Sequence, residues 1–220
     1  MRKLLVTLSI LAIIGGLAFG GATLYKNTFA QKPAPTAPPS STKSSAVAQP
    51  QPSDPTQHDT FDIEFAKKLV LYNELAAQLD DYAKNNATQP AIREFAARKS
   101  ASSTSQANAY AAMLDSWGAE YSRLNDFPKV AGGACSGYPT FPGMLPHDDV
   151  NTFLRSSANE VDRQYLALMT KHHSGINQTI KAVGSFVIYG ELIVMRDAFF
   201  ASQDAETKQL QEMQKQYGYA

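Results

Sequence analysis

The sequence predicts an all-α fold in which two helical hairpins form a four-helix bundle. Three observations predict it. Apolar residues recur at three- and four-residue spacing over four long stretches. Strand-like alternation of apolar and polar residues is essentially absent after residue 57. Two short breaks and one long proline- and glycine-rich segment separate the four stretches, which is the pattern of two hairpins joined by a crossover.

The N-terminal segment, residues 1–30, is predicted to be a transmembrane or signal helix. Arg2 and Lys3 precede the uncharged, mainly apolar run Leu4–Tyr25. This run approaches the ~20 residues that a helix needs to cross a bilayer, and it exceeds the roughly 7–15 apolar residues of a secretory signal. Length favours an uncleaved anchor in the cell membrane, but small residues at Gly20–Ala22 keep cleavage and export open. Both alternatives place the remaining chain outside the cytoplasm.

Residues 31–57 are predicted to form a disordered tether. This stretch holds seven of the twelve prolines and no aromatic residue. It cannot bury enough apolar surface to offset the entropy lost on ordering. The tether would hold a folded domain, residues 58–220, away from the membrane.

The first hairpin is predicted over residues 58–118. One helix is expected from Phe61 to Lys84, and a second from about Ala91 to Trp117. Residues 119–147 form the predicted connecting loop. In the second hairpin, residues 148–220, a long helix capped by Asp148 or Asp149 is expected to end near Val183. The last helix is predicted from about Gly190 to Tyr217. The long crossover predicts a bundle of the ferritin-like kind.

The two hairpins look like copies of one another. Placing Asp62 on Asp162 also places Leu69 on Met169, without a gap. The ends agree at the same offset, since MLDSWG of the first hairpin resembles MQKQYG of the second. We therefore expect an internal repeat of moderate strength.

Composition and motifs exclude several functions. Formal net charge is zero, with no basic block, so we expect no nucleic-acid partner. The single Cys135 cannot form an internal disulfide. No glutamate has a histidine three residues later, and HExxH, CxxC and GxSxG are absent from the sequence. The sequence therefore favours a protein that is not an enzyme of these classes.

Two adjacent histidines, His172 and His173, are the most distinctive polar residues. At about 100° per residue, His173 and Met169 fall within about 20° of Asp162, in the middle of the apolar stripe. His172 lies about 80° off, which predicts a position at the edge of the stripe. Asp162 is about 16 Å along the axis from His173, so one ion cannot bind both from this helix.

Imidazole and thioether together favour a soft ion, with copper first and silver as its chemical relative. We therefore name His172, His173 and Met169 as candidate metal ligands and Asp162 as a supporting or structural group. The alternative is that the histidines are hydrogen-bonded residues of the core. An enzymatic role would need a proton-transfer partner near His173, for which Asp162 and Glu206 are candidates. On the last helix, Gln203 or Glu206 opposite His173 would give it a polar partner, whereas Phe199 or Leu210 would not.

The string VDRQYLALMTKHHSGINQTI resembles the signature of the bacterial family called domain of unknown function 305. The matching positions are Asp162, Tyr165, Met169, His172 and His173. The resemblance implies a ferritin-like helical bundle, commonly exported, in a family where some members are associated with copper. Thr179 and Leu210 stand where further methionines are usual. In the first hairpin, Tyr72 and Asn73 occupy the positions of the histidine pair.

These observations together predict a membrane-tethered protein outside the cytoplasm that binds or buffers copper or another soft metal ion. The alternative is a surface interaction or scaffold module with a structural histidine pair. The predicted contacts are the membrane, through the N-terminal helix, and the metal ion. The sequence leaves homo-oligomerisation open.

Overall fold

The computed structural model describes residues 57–127 and 137–219. The predicted anchor Leu4–Tyr25, most of the tether and Cys135 lie outside the described residues. Within the two described ranges, none of the helices has the length and apolar character that crossing a membrane requires.

The described part of the chain is all-α, with five α-helices and no strand. The helices are α1 (Thr60–Asn86), α2 (Pro90–Ser116), α3 (His147–Phe153), α4 (Ala158–Val183) and α5 (Gly190–Tyr217). Single 3-10 turns occur at Leu124–Asp126 and Gly184–Phe186. α1 packs along α2, α4 along α5, and the two hairpins meet mainly through α1 and α4. Their shared core includes Leu69, Leu75, Leu79, Ile92, Leu114 and Leu166, all fully buried.

The predicted third helix is wrong in one respect, because it is broken into α3 and α4. After Phe153 the backbone turns, and the Ser156 hydroxyl donates to the Thr152 carbonyl, which competes with a continuing helix. The Tyr82 hydroxyl of α1 also donates to the Ser156 carbonyl at 3.0 Å. The turn lets the Phe153 ring pack edge-on against Tyr82 at 5.0 Å, fully buried. Burial of one aromatic side chain therefore accounts for the break.

Two buried carboxylates join the hairpins in a reciprocal way. Asp162 of α4 accepts hydrogen bonds from the backbone N–H groups of Thr88 and Gln89, at the start of α2. Asp62 of α1 accepts from the backbone N–H groups of Ile188 and Tyr189, at the start of α5. Neither α2 nor α5 has a cap from its own N-cap side chain. Each hairpin therefore caps a helix of the other. The capped residues are related by the same numbering offset as Asp62 and Asp162, as expected for an internal repeat.

Candidate functional site

A cluster of polar side chains lies in the interior, where α1, α2, α4 and α5 contribute to it. It is held among apolar residues, so each polar group needs a partner inside the protein. We call this group the polar cluster; its members are Asp80, Lys99, Ser103, Tyr165, His172, His173, Gln203, Glu206 and Thr207.

His172 is buried, with 1% of its surface exposed, so the predicted position at the rim of the helix is wrong. Its Nδ1 lies 2.5 Å from the Gly143 carbonyl oxygen. A carbonyl can only accept, so Nδ1 carries the proton and Nε2 keeps its lone pair. That Nε2 has no hydrogen-bond partner among the described residues. Burial lowers the pKa of His172 to about 4, although the hydrogen bond to Gly143 opposes the shift.

The segment that covers His172 is the strap, which we define as Tyr138–Pro146. The Tyr72 and Thr179 hydroxyl oxygens lie 2.5 and 3.2 Å from the Pro142 carbonyl oxygen and 2.8 Å from each other. Thr179, which replaces a methionine expected from the family pattern, therefore helps to hold the strap. The position of the strap could not follow from a helical wheel, because it comes from a distant part of the sequence.

His173 is also buried, as its position on the wheel predicts. Its Nδ1 lies 3.3 Å from the Thr207 hydroxyl oxygen, and that hydroxyl donates its own proton to the Gln203 carbonyl at 2.7 Å. Nδ1 therefore donates to Thr207, and Nε2 is again the atom with the lone pair. Burial lowers the pKa of His173 well below its ordinary value, and His172 and Lys99 lower it further.

Glu206 is the polar residue of α5 that faces His173. Its Oε2 lies 3.8 Å from the His173 Nε2, so the glutamate named as a candidate proton-transfer partner is near the imidazole. The low pKa of His173 keeps the imidazole neutral at pH 7, so this contact is not an ion pair. The charged partner of Glu206 is Lys99 of α2, whose Nζ lies 2.7 Å from Oε1. Burial raises the pKa of Glu206, and Lys99 opposes the shift.

Asp80 forms the other end of the polar cluster. The Tyr165 hydroxyl donates to its Oδ1 at 2.6 Å, and Oδ2 has no partner among the described residues. Burial raises the pKa of Asp80 to about 7; Tyr165 and Lys99 oppose the shift, and Glu206 adds to it. Sequence reasoning missed Asp80 and Lys99. The available signal was a carboxylate next to Leu79, on the apolar stripe of α1.

The predicted site residues fall into two groups. His172, His173 and Met169 are all buried on α4, in the part of the helix that carries the polar cluster. Asp162 does not join them. Its oxygens accept from the Thr88 hydroxyl and from two backbone N–H groups at the start of α2. Asp162 therefore caps the start of α2, and its part in a metal site stays a prediction.

The chemistry open to this site depends on its donor atoms. Within the described residues, no group of three His, Cys, Asp or Glu side chains is placed so that it could hold a metal ion. The Nε2 of neutral His172 has no partner, the Nε2 of neutral His173 lies 3.8 Å from Glu206, and the Met169 thioether lies one turn before both on α4. Such a set suits a soft ion that takes few ligands, and it does not suit a hard divalent cation.

The chain matches one protein-family model, described as Domain of unknown function (DUF305), over residues 62–214. Two crystal structures share the fold. One is a DUF305 fragment from Deinococcus radiodurans, with a TM-score of 0.59 and 18% identity, over 72% of the present chain and 98% of the other. The second is a DUF305 protein from Streptomyces coelicolor described as a presumed secreted protein, with a TM-score of 0.59 and 19% identity. The match covers 72% of the present chain and 94% of that one. Among curated proteins, none matches the chain in sequence.

Proposed function

Because the chain belongs to the DUF305 family, we propose that it works outside the cytoplasm and binds a soft monovalent metal ion, copper(I) before silver(I). The residues that would hold the ion are His172 and His173 through Nε2 and Met169 through its sulfur. An ion bound there would be buried, so water and ligands with oxygen donors would have little access to it.

The observation that carries the proposal is the unpartnered Nε2 of His172. A buried polar atom without a partner costs about 1–3 kcal/mol, which a ligand at that atom would recover. The Nδ1–H of the same ring donates to a backbone carbonyl, an arrangement that orients many metal-binding histidines. Since burial already keeps the ring neutral, no proton has to leave before the ion binds.

Charge and softness favour a monovalent ion. Met169 is fully buried, and a thioether selects copper(I) over hard cations. Asp80 and Glu206 carry two negative charges when ionised, and Lys99 carries one positive charge nearby. Because the pKa of Asp80 is raised to about 7, the polar cluster would hold at most one uncompensated negative charge near neutral pH, which suits a monovalent ion better than a divalent one.

We also propose that the four long helices form one ferritin-like bundle. α2 and α5 meet through the Lys99–Glu206 ion pair and through the rings of Tyr110 and Phe199, 6.5 Å apart. These contacts support a common interior for both hairpins.

For localisation, we propose a single-pass anchor at Leu4–Tyr25 with the folded domain outside the cytoplasm. The secreted character given for the Streptomyces coelicolor relative supports an exported domain. Fractionation of cells that express the full chain tests the anchor. We expect the protein in the membrane fraction after alkaline washing, and its release as a shorter chain would support signal cleavage instead.

Titration of the purified full-length protein with copper(I), under reducing conditions and against a competing chelator, tests the metal proposal. We expect about one equivalent to bind with a Kd well below ~1 μM. The double variant His172→Gln/His173→Gln should lose more than about 100-fold in affinity, because both imidazole donors are removed. His147→Gln, outside the polar cluster, is the matched control and should bind like the wild type. A wild type that binds no tighter than micromolar would refute the proposal.

The second candidate is a scaffold or surface interaction module in which the histidines only stabilise the fold. The lack of a three-residue His, Cys, Asp or Glu group in the described residues favours it. Thermal unfolding with and without silver(I) separates the two functions. A ligand that binds only the folded state raises Tm, by an amount equivalent to about 2.7 kcal/mol at 100 times Kd. An unchanged Tm in excess silver(I) would favour the scaffold.

A further inference from the structure

Two exposed aromatic rings lie side by side at one end of the helical domain. Phe61, at the start of α1, is 57% exposed, and Phe186, in the turn before α5, is 54% exposed. The two rings stack with their centroids 5.4 Å apart. Each hairpin contributes one ring, so the pair is a feature of the assembled fold. Large apolar side chains that stay this exposed together are typical of a surface that binds something.

Further aromatic rings lie beside this pair. Three residues after Phe186, the ring of Tyr189 meets Trp117, at the end of α2, edge-on at 5.1 Å. The His58 ring stacks on Trp117 at 4.5 Å. Trp117 and Tyr189 are half-buried, so part of each side chain is accessible to solvent. We call Phe61, Trp117, Phe186 and Tyr189 the aromatic end of the domain.

Three arguments favour a lipid surface over a protein as the partner of the aromatic end. The N-terminal part of the chain joins the domain here, since Gln57 directly precedes the His58 that stacks on Trp117. Two half-exposed phenylalanine rings offer far less than the ~800 Å² per partner that a stable protein–protein interface buries. Tryptophan and tyrosine, which combine an apolar ring with a polar edge, are enriched where membrane hydrocarbon meets water.

We propose that the aromatic end docks on a phospholipid bilayer, with Phe61 and Phe186 inserted at the boundary between headgroups and acyl chains. The inference rests on the proposed anchor at Leu4–Tyr25. An anchor keeps the domain at a high effective concentration near the bilayer, so a small aromatic surface is enough to dock it. The sequence alone predicts that the tether holds the domain away from the membrane. Docking would instead be a second, reversible attachment that holds the domain in one orientation.

The single tryptophan of the chain, Trp117, provides the test, because its fluorescence reports on the aromatic end alone. The full-length protein is reconstituted in phosphatidylcholine vesicles and in matching vesicles whose acyl chains carry bromine, which quenches tryptophan at short range. We expect bromine to lower the Trp117 fluorescence at least ~2-fold. Phe61→Ser/Phe186→Ser should lose most of this quenching. Tyr219→Ser, beyond the opposite end of α5, is the control and should be quenched like the wild type.

The outcomes separate docking from anchoring. A wild type without quenching would overturn the inference, as would quenching that stays unchanged in Phe61→Ser/Phe186→Ser. If quenching is absent and the two serines convert a dimer into a monomer, the rings face a second copy of the chain instead. If the double variant does not fold, Phe186→Ser alone should lose about half of the quenching. Loss of the wild type from vesicles during alkaline washing would refute the anchor, while quenching before the wash would still support docking.

Discussion

At the scale of single residues, His172 shows how burial fixes both charge and tautomer. An unperturbed histidine has a pKa near 6.5, and burial lowers that of His172 to about 4. Between pH 4 and pH 6.5 this histidine is therefore protonated in the unfolded chain and neutral in the native state. Stability from this group is therefore complete above pH 6.5 and is lost as the pH falls towards 4, by about 3 kcal/mol in all.

The corresponding prediction concerns His172→Gln, measured by urea unfolding without metal at several pH values between 7 and 4. The amide can still donate to the Gly143 carbonyl but does not titrate, so between pH 7 and 4 the variant should lose about 3 kcal/mol less stability than the wild type. The acid loss from buried His173 occurs in both proteins. Asp80, whose pKa is raised to about 7, acts in the opposite direction, with stability falling as the pH rises. Asp80 is present in both proteins, so its contribution to the pH dependence cancels when the two are compared. The same pH dependence in both proteins would contradict the prediction.

The burial and contacts of a side chain could be predicted from the sequence only where the periodicity of its own helix determines them. The inward position of His173 follows from periodicity, since its neighbours on the wheel are core residues of α4. The burial of His172 depends on the strap, and the contacts of Asp80 and Lys99 depend on other helices. No local pattern carries such information, because these contacts join residues far apart in the chain.

At the scale of elements, the approach of the strap to α4 requires a glycine on each side. A Cβ at Gly175 would lie 2.0 Å from the Gly143 backbone nitrogen, well inside contact distance. Gly143 has φ +98°, where a side chain would be strained. Gly175 lies in the interior of a helix and lowers helix propensity by about 1 kcal/mol relative to alanine. That cost is explained by the strap, which needs this space to reach His172.

Gly175→Ala should therefore destabilise the protein, although helix propensity alone predicts the opposite sign. We expect a net loss of about 1–3 kcal/mol in urea unfolding, because the strap must move away from α4. Faster amide hydrogen exchange in Tyr138–Pro146 should accompany the loss. Gly184→Ala is the matched control, since its Cβ would meet side-chain atoms no closer than 3.5 Å and Gly184 has helical φ and ψ. A stabilised Gly175→Ala protein would show that the strap does not depend on this contact.

At the scale of the whole molecule, the helices were largely predictable and their joints were not. The last helix begins and ends at the residues that periodicity predicts, Gly190 and Tyr217. The helices of the first hairpin agree with prediction to within about two residues. The break before Ala158 escaped prediction because it serves the burial of Phe153 against α1. Periodicity reports which face of a helix is buried, but not which distant segment covers it.

The reciprocal capping by Asp62 and Asp162 is the feature that belongs to the whole fold, and its removal gives the last prediction. Asp162→Ala leaves the N–H groups of Thr88 and Gln89 without acceptors, and Asp62→Ala does the same at the start of α5. Each variant should lose about 2–3 kcal/mol in urea unfolding, as expected for unsatisfied buried N–H groups and a lost helix cap.

The double variant Asp62→Ala/Asp162→Ala makes the test specific to the repeat. The two carboxylates share no partner, so their losses should add to within about 0.5 kcal/mol. Asp→Asn at each position is the control, because the amide oxygen still accepts one hydrogen bond and should retain part of the stability. The copper(I) affinity of the folded single variants should not change, since neither carboxylate contacts the histidine pair. A cost below about 0.5 kcal/mol at either position would mean that the reciprocal caps do not help to hold the hairpins together.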